Sequence, residues 1–397
     1  LNKNIFDPRV QQFLEEHIKG DIHKIALSKS PFDNISSREL AEQLDSRQRA
    51  EKKLPLWYNT PGIIFPPKLS IEQSSSELTA AYKSELIKGN KIIDLTGGLG
   101  VDSFFFSKKA KEVVHCEKNR ELSILAGHNL SILGAENIRF INADSIEFLK
   151  ETEEIFDTLY IDPSRRIEAK KVFLLKDTEP DVVSNLALFL TKASRIIIKT
   201  SPLFDIQSGL NELSQVSAVH VVSVKNDCKE LLWVIDKDFV GEAEIISTAI
   251  STSGQKSFRF KISGERSLSI DSYSVPLKYL YEPDVALLKA GCFKSITQAF
   301  PVLKLHQHSH LYTSENFVAD FPGKVFNINA VSDYKQFIKE NQLKKANLIS
   351  RNFPHSPDEL KKKHKISDGG PEYLIFTTVF PNNLQVIQAR SHLKTIG

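Results

Sequence analysis

Asp94-Leu95-Thr96-Gly97-Gly98-Leu99-Gly100 is the stretch of this chain best suited to holding a ligand. An acid closes a short apolar run, and glycines follow four and six residues on. Glycine lets a backbone turn sharply and approach a bound molecule closely. A helix starting after Gly100 would offer amides with no intrahelical partner. Asp94 suits a cationic amino-acid moiety, Thr96 sits inside the turn, and Asp102 stands just beyond it. A structural strand-to-helix turn would use the same glycines. The dinucleotide pattern G-x-G-x-x-G is not met, because Ser103 stands where its third glycine would be.

Two further acids follow apolar strands. Glu117 ends Val113-Val114-His115-Cys116, where a carboxylate can accept from both hydroxyls of a ribose. Asp144 follows Ile138 to Ile141, where it would meet an adenine amino group or cap a helix. Open α/β sheets bind ligands at these carboxyl ends. A fourth strand ends in Tyr160-Ile161-Asp162-Pro163-Ser164-Arg165-Arg166, which resembles the D/N-P-P-Y/F motif of amino-methyltransferases. There the acid and the proline carbonyl accept from an exocyclic amine and aim its lone pair, which is catalysis by positioning. Ser164 and Arg165 depart from that motif. A guanidinium can stack on a base in place of an aromatic ring, so Arg165 or Arg166 would hold a base or a phosphate. A Pro-terminated strand with two solvated arginines is the plainer alternative. Pyrimidine C5 methylation would need a cysteine after the next strand. Ile198-Lys199-Thr200-Ser201-Pro202 has none, and Lys199 either lines the substrate pocket or is a solvated strand end. Gln73 and Ser75 would border the pocket.

The elements that must position these residues alternate. Strands over 92–95, 113–117, 138–141, 158–161 and 195–198 are separated by helical stretches, notably Arg120 to Leu133 closed by Gly134. This is the pattern of βαβ units around a parallel sheet. Val219–Val224 and Leu231–Ile235 are linked too briefly for a parallel crossover and must pair antiparallel. A parallel sheet ending in such a hairpin is expected of a Rossmann-like class I methyltransferase core. Residues 1–85 read as a helical N-terminal domain, with a Pro-rich break over 60–67 and a capping box from Ser74 to Glu77 opening the last helix. The core spans 86–240. Strand-rich α+β segments, 241–322 and 323–397, follow it.

Composition narrows the class. Among 397 residues, 41% are hydrophobic and 25% charged, as in ordinary globular proteins. A net charge of +3 requires any nucleic-acid surface to be local. The three cysteines have no C-x-x-C spacing, so neither a disulfide scaffold nor a thiolate zinc site is implied. The first residues lack the continuous apolar core that a secretory signal needs, and there is no bilayer-length apolar run, so a cytoplasmic enzyme with no membrane partner is the expectation. There is no methionine. His306, His308 and His310 alternate, and a strand would bring them to one face. With no cysteine or acid arranged beside them, no metal is expected. Arg47, Arg49, Lys52 and Lys53 near Trp57 and Tyr58, and Lys361-Lys362-Lys363-His364-Lys365, are candidate RNA contacts or solvated faces.

Taken together, Asp94 to Gly100 with Asp102, Glu117, Asp144 and Asp162-Pro163 are similar to the guanine-N2 RNA methyltransferases. Lys53-Leu54-Pro55, Glu72 to Ser75, Asp162 to Arg166, Tyr281-Glu282-Pro283, Lys289-Ala290-Gly291 and Ser309 to Ser314 more specifically resemble a Bacteroidetes-type family. Its members are class I methyltransferases with a C-terminal THUMP-like domain. The resemblance implies an α/β core with ferredoxin-like and THUMP-like domains behind it. It implies S-adenosyl-L-methionine as cofactor and structured RNA, tRNA or rRNA, as partner. Asp94, Thr96, Gly98, Gly100, Asp102, Glu117 and Asp144 would bind the cofactor. Asp162, Pro163 and Arg165 would be catalytic, with Gln73, Ser75, Arg166 and Lys199 on the substrate. Two alternatives stay open: a non-catalytic RNA-binding protein on the same scaffold, and a nicotinamide-dependent oxidoreductase.

Overall fold

The computed structural model of the protein describes residues 2–165, 174–252 and 254–392. The chain forms two compact units, Leu1–Ser217 with Leu232–Gly241, and Ala218–Leu231 with Glu242–Gly397.

The first unit opens with α1 (Pro8–Glu16), α2 (Ile22–Leu27), α3 (Ser37–Ala50), α4 (Pro55–Asn59), α5 (Lys68–Gln73) and α6 (Glu77–Ser84). Local chemistry sets their starts. Pro8 opens α1 behind the N-cap Asp7, and Ser36 with Glu39 forms a reciprocal capping box on α3. The capping box expected from Ser74 to Glu77 is not formed. Ser74 is used to close α5, so α6 takes the next available serine, and Ser76 Oγ accepts from the Thr79 amide at 3.2 Å. Glu77 instead accepts from the Leu56 amide at 2.6 Å. Val10, Leu14, Leu40, Leu44 and Trp57 pack in one core with Leu99, Val101, Leu125 and Leu130, so these helices share their interior with the sheet layer that follows.

That layer runs β1 (Lys91–Asp94), α7 (Val101–Ser107), β2 (Glu112–Cys116), α8 (Arg120–Ile132), β3 (Ile138–Ile141), α9 (Ser145–Glu151), β4 (Phe156–Ile161), β5 (Ser164–Arg165), β6 (Thr178–Glu179), α10 (Leu186–Lys192), β7 (Ala193–Thr200), α11 (Ile206–Glu212), β8 (Val216–Val224) and β9 (Asp227–Asp236). The strand order in this unit is β9-β7-β4-β1-β2-β3. β1, β2, β3, β4 and β7 are mutually parallel. Such strands are covered on both faces and read as unbroken apolar runs; Ile92, Ile93, Val113, Val114 and Ile196 to Ile198 are all fully buried. The chain starts at β1, proceeds outward to β3, then returns to β4 on the other side of β1. At this switch point Asp94 lies opposite Tyr160, and Ile161 opposite Ile198. The loops after β1, β4 and β7 therefore emerge side by side, where ligands bind in such sheets. β8 and β9 are neighbours joined by Lys225-Asn226, with φ of +52° and +61°. Two left-handed residues suit the tight turn of an antiparallel hairpin.

The second unit contains β10 (Glu244–Ser251), β11 (Gly254–Lys261), α12 (Ile262–Ser267), β12 (Tyr279–Pro283), α13 (Val285–Ala290), α14 (Ser295–Ala299), β13 (Leu303–Lys304), β14 (Tyr312–Ser314), β15 (Gly323–Asp333), α15 (Tyr334–Glu340), β16 (Asn347–Arg351), α16 (Pro357–His364), β17 (Glu372–Val379) and β18 (Asn383–Ser391). Within this unit, which includes Ala218–Leu231 of the β8–β9 hairpin, β10 pairs in parallel with Ala218–Val224 of β8 and antiparallel with β11. A separate seven-stranded sheet has the order β13-β14-β12-β15-β18-β17-β16. Phe337 of α15 and Leu360 of α16 pack on Leu374, Phe376 and Val386 of that sheet. The one-faced histidine strand is not formed, because residues 305–311 are a loop between β13 and β14. His306 is buried and His308 exposed, while His310, with φ +50°, stacks on Phe293 at 3.7 Å. Among the described residues no three His, Cys, Asp or Glu side chains could share a metal ion, and no helix is long and apolar enough to cross a membrane.

Candidate active site

The loop after β1 needs its glycines for separate reasons. Gly98 and Gly100 have φ of +54° and +80°, the left-handed region that side chains avoid. A Cβ on Gly97 would lie 2.2 Å from Cε1 of His115, and one on Gly100 would lie 2.8 Å from Cδ1 of Leu130. Thus Gly97 and Gly100 also admit close packing beneath the loop. The Gly98 amide donates to Oε2 of Glu117 at 2.8 Å, and the Asn119 amide donates to Oε1 at 2.7 Å. The glycine loop and the end of β2 are joined through that carboxylate.

Asp94 lies under the loop and is only 1% exposed. It accepts from Ser103 Oγ at 2.7 Å and from the Thr96 amide at 3.1 Å. Ser103 Oγ also lies 3.0 Å from Nδ1 of His115. Burial, and then the charge of Asp102, push the Asp94 carboxyl up to about 7. Burial pushes the His115 imidazole down to about 4, so it is neutral at neutral pH. Ser103, the residue that breaks the dinucleotide fingerprint, is therefore the clamp on Asp94.

Above the loop is a cleft of about 190 Å³ whose walls include Thr96, Glu117, Asp144, Asp162 and Ser164. Thr96 Oγ1 accepts from the Asp162 amide at 2.7 Å, tying the first loop to the end of β4. Oδ2 of Asp162 is ion-paired with Nζ of Lys199 at the end of β7. Asp144 caps α9, its Oδ1 accepting from the amides of Ile146 and Glu147 at 2.9 and 3.2 Å. Pro163 follows Asp162 directly and is half-buried. Arg165 lies in β5, paired with Thr178, and Arg166 lies outside the described residues.

Several sequence-derived assignments are redistributed. Gln73 is exposed at the end of α5 and does not line the cleft. Ser75 and Asp102, expected to contact ligands, are bonded to each other at 2.7 Å and to a buried lysine, Lys83. Their polar atoms are consumed internally. Sequence reasoning missed Lys83, Tyr160, His115 and the clamp made by Ser103. The signal for Lys83 was present: it shares the buried face of α6 with Thr79 and Ala80, an abnormal place for a lysine. Of the N-terminal basic patch, Arg49 and Lys52 are exposed, while Arg47 and Lys53 are engaged within the fold. Arg47 is 4% exposed and grips Glu15 at 2.5 and 2.9 Å. Lys53 donates to the carbonyls of Ile71 and Glu72, Arg49 pairs with Asp45, and Trp57 is fully buried. In α16, Lys361 pairs with Asp358 and Asp368, while Lys362, Lys363 and Lys365 are exposed.

Comparison with known proteins bears on this arrangement. Residues 279–322 match a ferredoxin-like domain family, and residues 323–390 match a THUMP domain-like family. A protein of Porphyromonas gingivalis W83, its crystal structure described as that of a "putative methyltransferase", is 32% identical, with a TM-score of 0.89. That match covers 98% of this chain and 99% of the other. An uncharacterized RNA methyltransferase of Mycoplasma mobile is 28% identical over 186 residues, 43% of this chain. The chain spans about half, 51%, of the length of that curated relative. This chain belongs to the family of the Porphyromonas protein, and in it a Rossmann-like methyltransferase fold is followed by ferredoxin-like and THUMP-like domains.

Proposed function

We propose that the protein transfers a methyl group from S-adenosylmethionine to an exocyclic amine of a base in structured RNA, a tRNA or an rRNA. The observation that carries this reading is the meeting of Glu117 and Asp162 at one cleft, beside a glycine loop built for close approach. Carboxylate oxygens have about four acceptor positions. Glu117 uses two of them on the Gly98 and Asn119 amides, which leaves capacity for the two hydroxyls of a ribose. Asp94 acts from below, holding Thr96 and Ser103 and hence the course of the loop. When bound, the cofactor supplies a sulfonium-activated methyl group.

The chain's own part in the reaction is to present the amine. Lys199 engages Oδ2 of Asp162, which fixes the carboxylate and leaves Oδ1 to accept an amine N–H. The Pro163 carbonyl is the second acceptor. Two acceptors fix both amine hydrogens and point the nitrogen lone pair along the transfer path. Asp162, as an acceptor of the amine, would also receive the proton released after transfer. RNA as the substrate draws support from the similarity to the Mycoplasma RNA methyltransferase and from the exposed lysines of α16. A second reading, RNA binding without methylation, is favoured by one observation: Lys199 already engages the carboxylate meant for the amine.

Calorimetric titration with S-adenosylmethionine, S-adenosylhomocysteine and NAD, followed by methyl transfer to RNA, separates these readings. Binding of both sulfur compounds with transfer supports the proposal. Binding without transfer to any RNA fraction leaves the scaffold reading. Binding of NAD alone sinks both.

A further inference from the structure

Lys83 of α6 is wholly buried, where an ammonium group is seldom found without a task. Its Nζ lies 2.7 Å from Oδ1 of Asp102 and donates to Ser75 Oγ at 2.5 Å and to Tyr160 OH at 3.4 Å. Those hydroxyls pass the interaction on. Ser75 Oγ donates to Oδ2 of Asp102 at 2.7 Å, and Tyr160 OH donates to the same oxygen at 3.1 Å. One cation and one anion are thus closed into a ring by two hydroxyls, each accepting from the first and donating to the second. Burial pushes the Asp102 carboxyl up, but the charges of Lys83 and then Lys199 outweigh it and hold the group below its ordinary range.

The ring's position matters more than its energy. A buried ion pair rarely stabilises a fold more than well-packed apolar residues of the same size. It does fix geometry, because removing one member leaves the other charged and stranded. Here Ser75 precedes α6, Asp102 lies two residues past Gly100, and Tyr160 lies two residues before Asp162. None of the four lines the cleft.

We infer that Lys83 is a positioning residue: through Ser75, Asp102 and Tyr160 it clamps the glycine loop to the acceptor strand, and so sets cofactor affinity and transfer geometry without touching either ligand. This rests on the functional reading above. The full-length chain carries the test, in Lys83→Met, Asp102→Asn, the double variant and Tyr160→Phe. Lys83→Met strands Asp102 and should raise the dissociation constant for S-adenosylhomocysteine about tenfold or more. It should lower kcat at saturating cofactor and speed hydrogen exchange of the ligand-free Gly98–Ser103 amides. The double variant has neither charge and should regain affinity to within about threefold of wild type.

A lysine that merely fills space would not be rescued by Asp102→Asn, because the two losses would add. Tyr160→Phe removes one oxygen and keeps the fold. It should weaken cofactor binding about threefold and quicken loop exchange, so it decides the matter even if Lys83→Met does not fold. Unchanged affinity and exchange in Tyr160→Phe, or no rescue in the double variant, overturns the inference while the functional reading stands. A wild-type protein that binds neither sulfur compound overturns both.

Discussion

Gly97→Ala is the sharpest single test of how the loop is built. The added carbon would sit 2.2 Å from Cε1 and 2.4 Å from Nε2 of His115, against a comfortable carbon contact of about 3.5–4.0 Å. More than an ångström must be absorbed by a ring that is fully buried and packed near Phe140, at 5.1 Å between centroids. Overpacking of this kind costs about 1–3 kcal/mol. If the ring moves, it also leaves Ser103, losing a buried hydrogen bond that contributes about 1 kcal/mol. The expected loss is therefore about 2–4 kcal/mol, or roughly 5–15 °C in the melting temperature of a unit this size. The control is Gly98→Ala. There the backbone φ of +54° is strained, but the nearest atom is the Thr96 carbonyl oxygen at 3.8 Å. A loss of about 1 kcal/mol is expected from that strain alone. Thermal and urea unfolding of both variants beside wild type is the assay. Equal losses in the two, or a Gly97→Ala protein as stable as wild type, would refute the claim that His115 supports the loop from beneath.

Other expectations follow from the same geometry. Glu117→Ala removes the acceptor for two amides and for the ribose, and calorimetry should show cofactor affinity lowered about tenfold to a hundredfold; unchanged affinity moves the ribose contact elsewhere. Asp162→Ala should keep cofactor affinity within about twofold while methyl transfer falls by two or more orders of magnitude, since positioning supplies the rate; normal transfer sinks its acceptor role. His115, held down to about 4 from 6.5, contributes stability that is complete above pH 6.5 and lost as pH falls toward 4, about 3 kcal/mol in all. Unfolding free energies of wild type and His115→Phe between pH 4 and 8 should diverge across that window, and parallel curves would refute it. Asp94 runs the other way. Its carboxyl is raised to about 7, so its contribution is lost as pH rises from about 4 to 7, and Asp94→Asn should flatten that limb.

What the sequence disclosed divides along a physical line. Parallel strands buried on both faces have to be apolar runs, so β1, β2, β4 and β7 could be read without any tertiary knowledge. The acids at their ends were legible for the same reason, because a charge terminating such a run has to sit at the sheet's edge. Which way each acid turns was not legible. Asp94, Asp102, Glu117 and Asp144 are similar residues, yet the first two face inward, Glu117 lines the cleft, and Asp144 lines it while also capping a helix. That choice depends on Lys83 and Ser103 arriving from other elements. In the arginine and lysine cluster at 47–53, composition cannot distinguish a cation facing solvent, as Lys52 does, from one that grips Glu15 or a carbonyl, as Arg47 and Lys53 do. The alternating histidines at 306–310 share no face because alternation is meaningful only inside a strand, and residues 305–311 are a loop.

The path of the chain between its two units has a consequence for inheritance. It leaves the first unit at Ser217, returns at Leu232 and leaves again at Gly241. β10 is paired along Glu244–Ile250 with Ala218–Val224 of β8. A piece starting at residue 242 would carry β10 without that neighbour, baring the backbone beside the buried Ile245, Ile246 and Ile250. That is the kind of open edge that recruits foreign strands. The rear half of this protein is thus not a detachable cassette. Recombination that swaps in a different tail at Gly241 would have to exchange Ala218–Leu231 as well, two cuts in step rather than one.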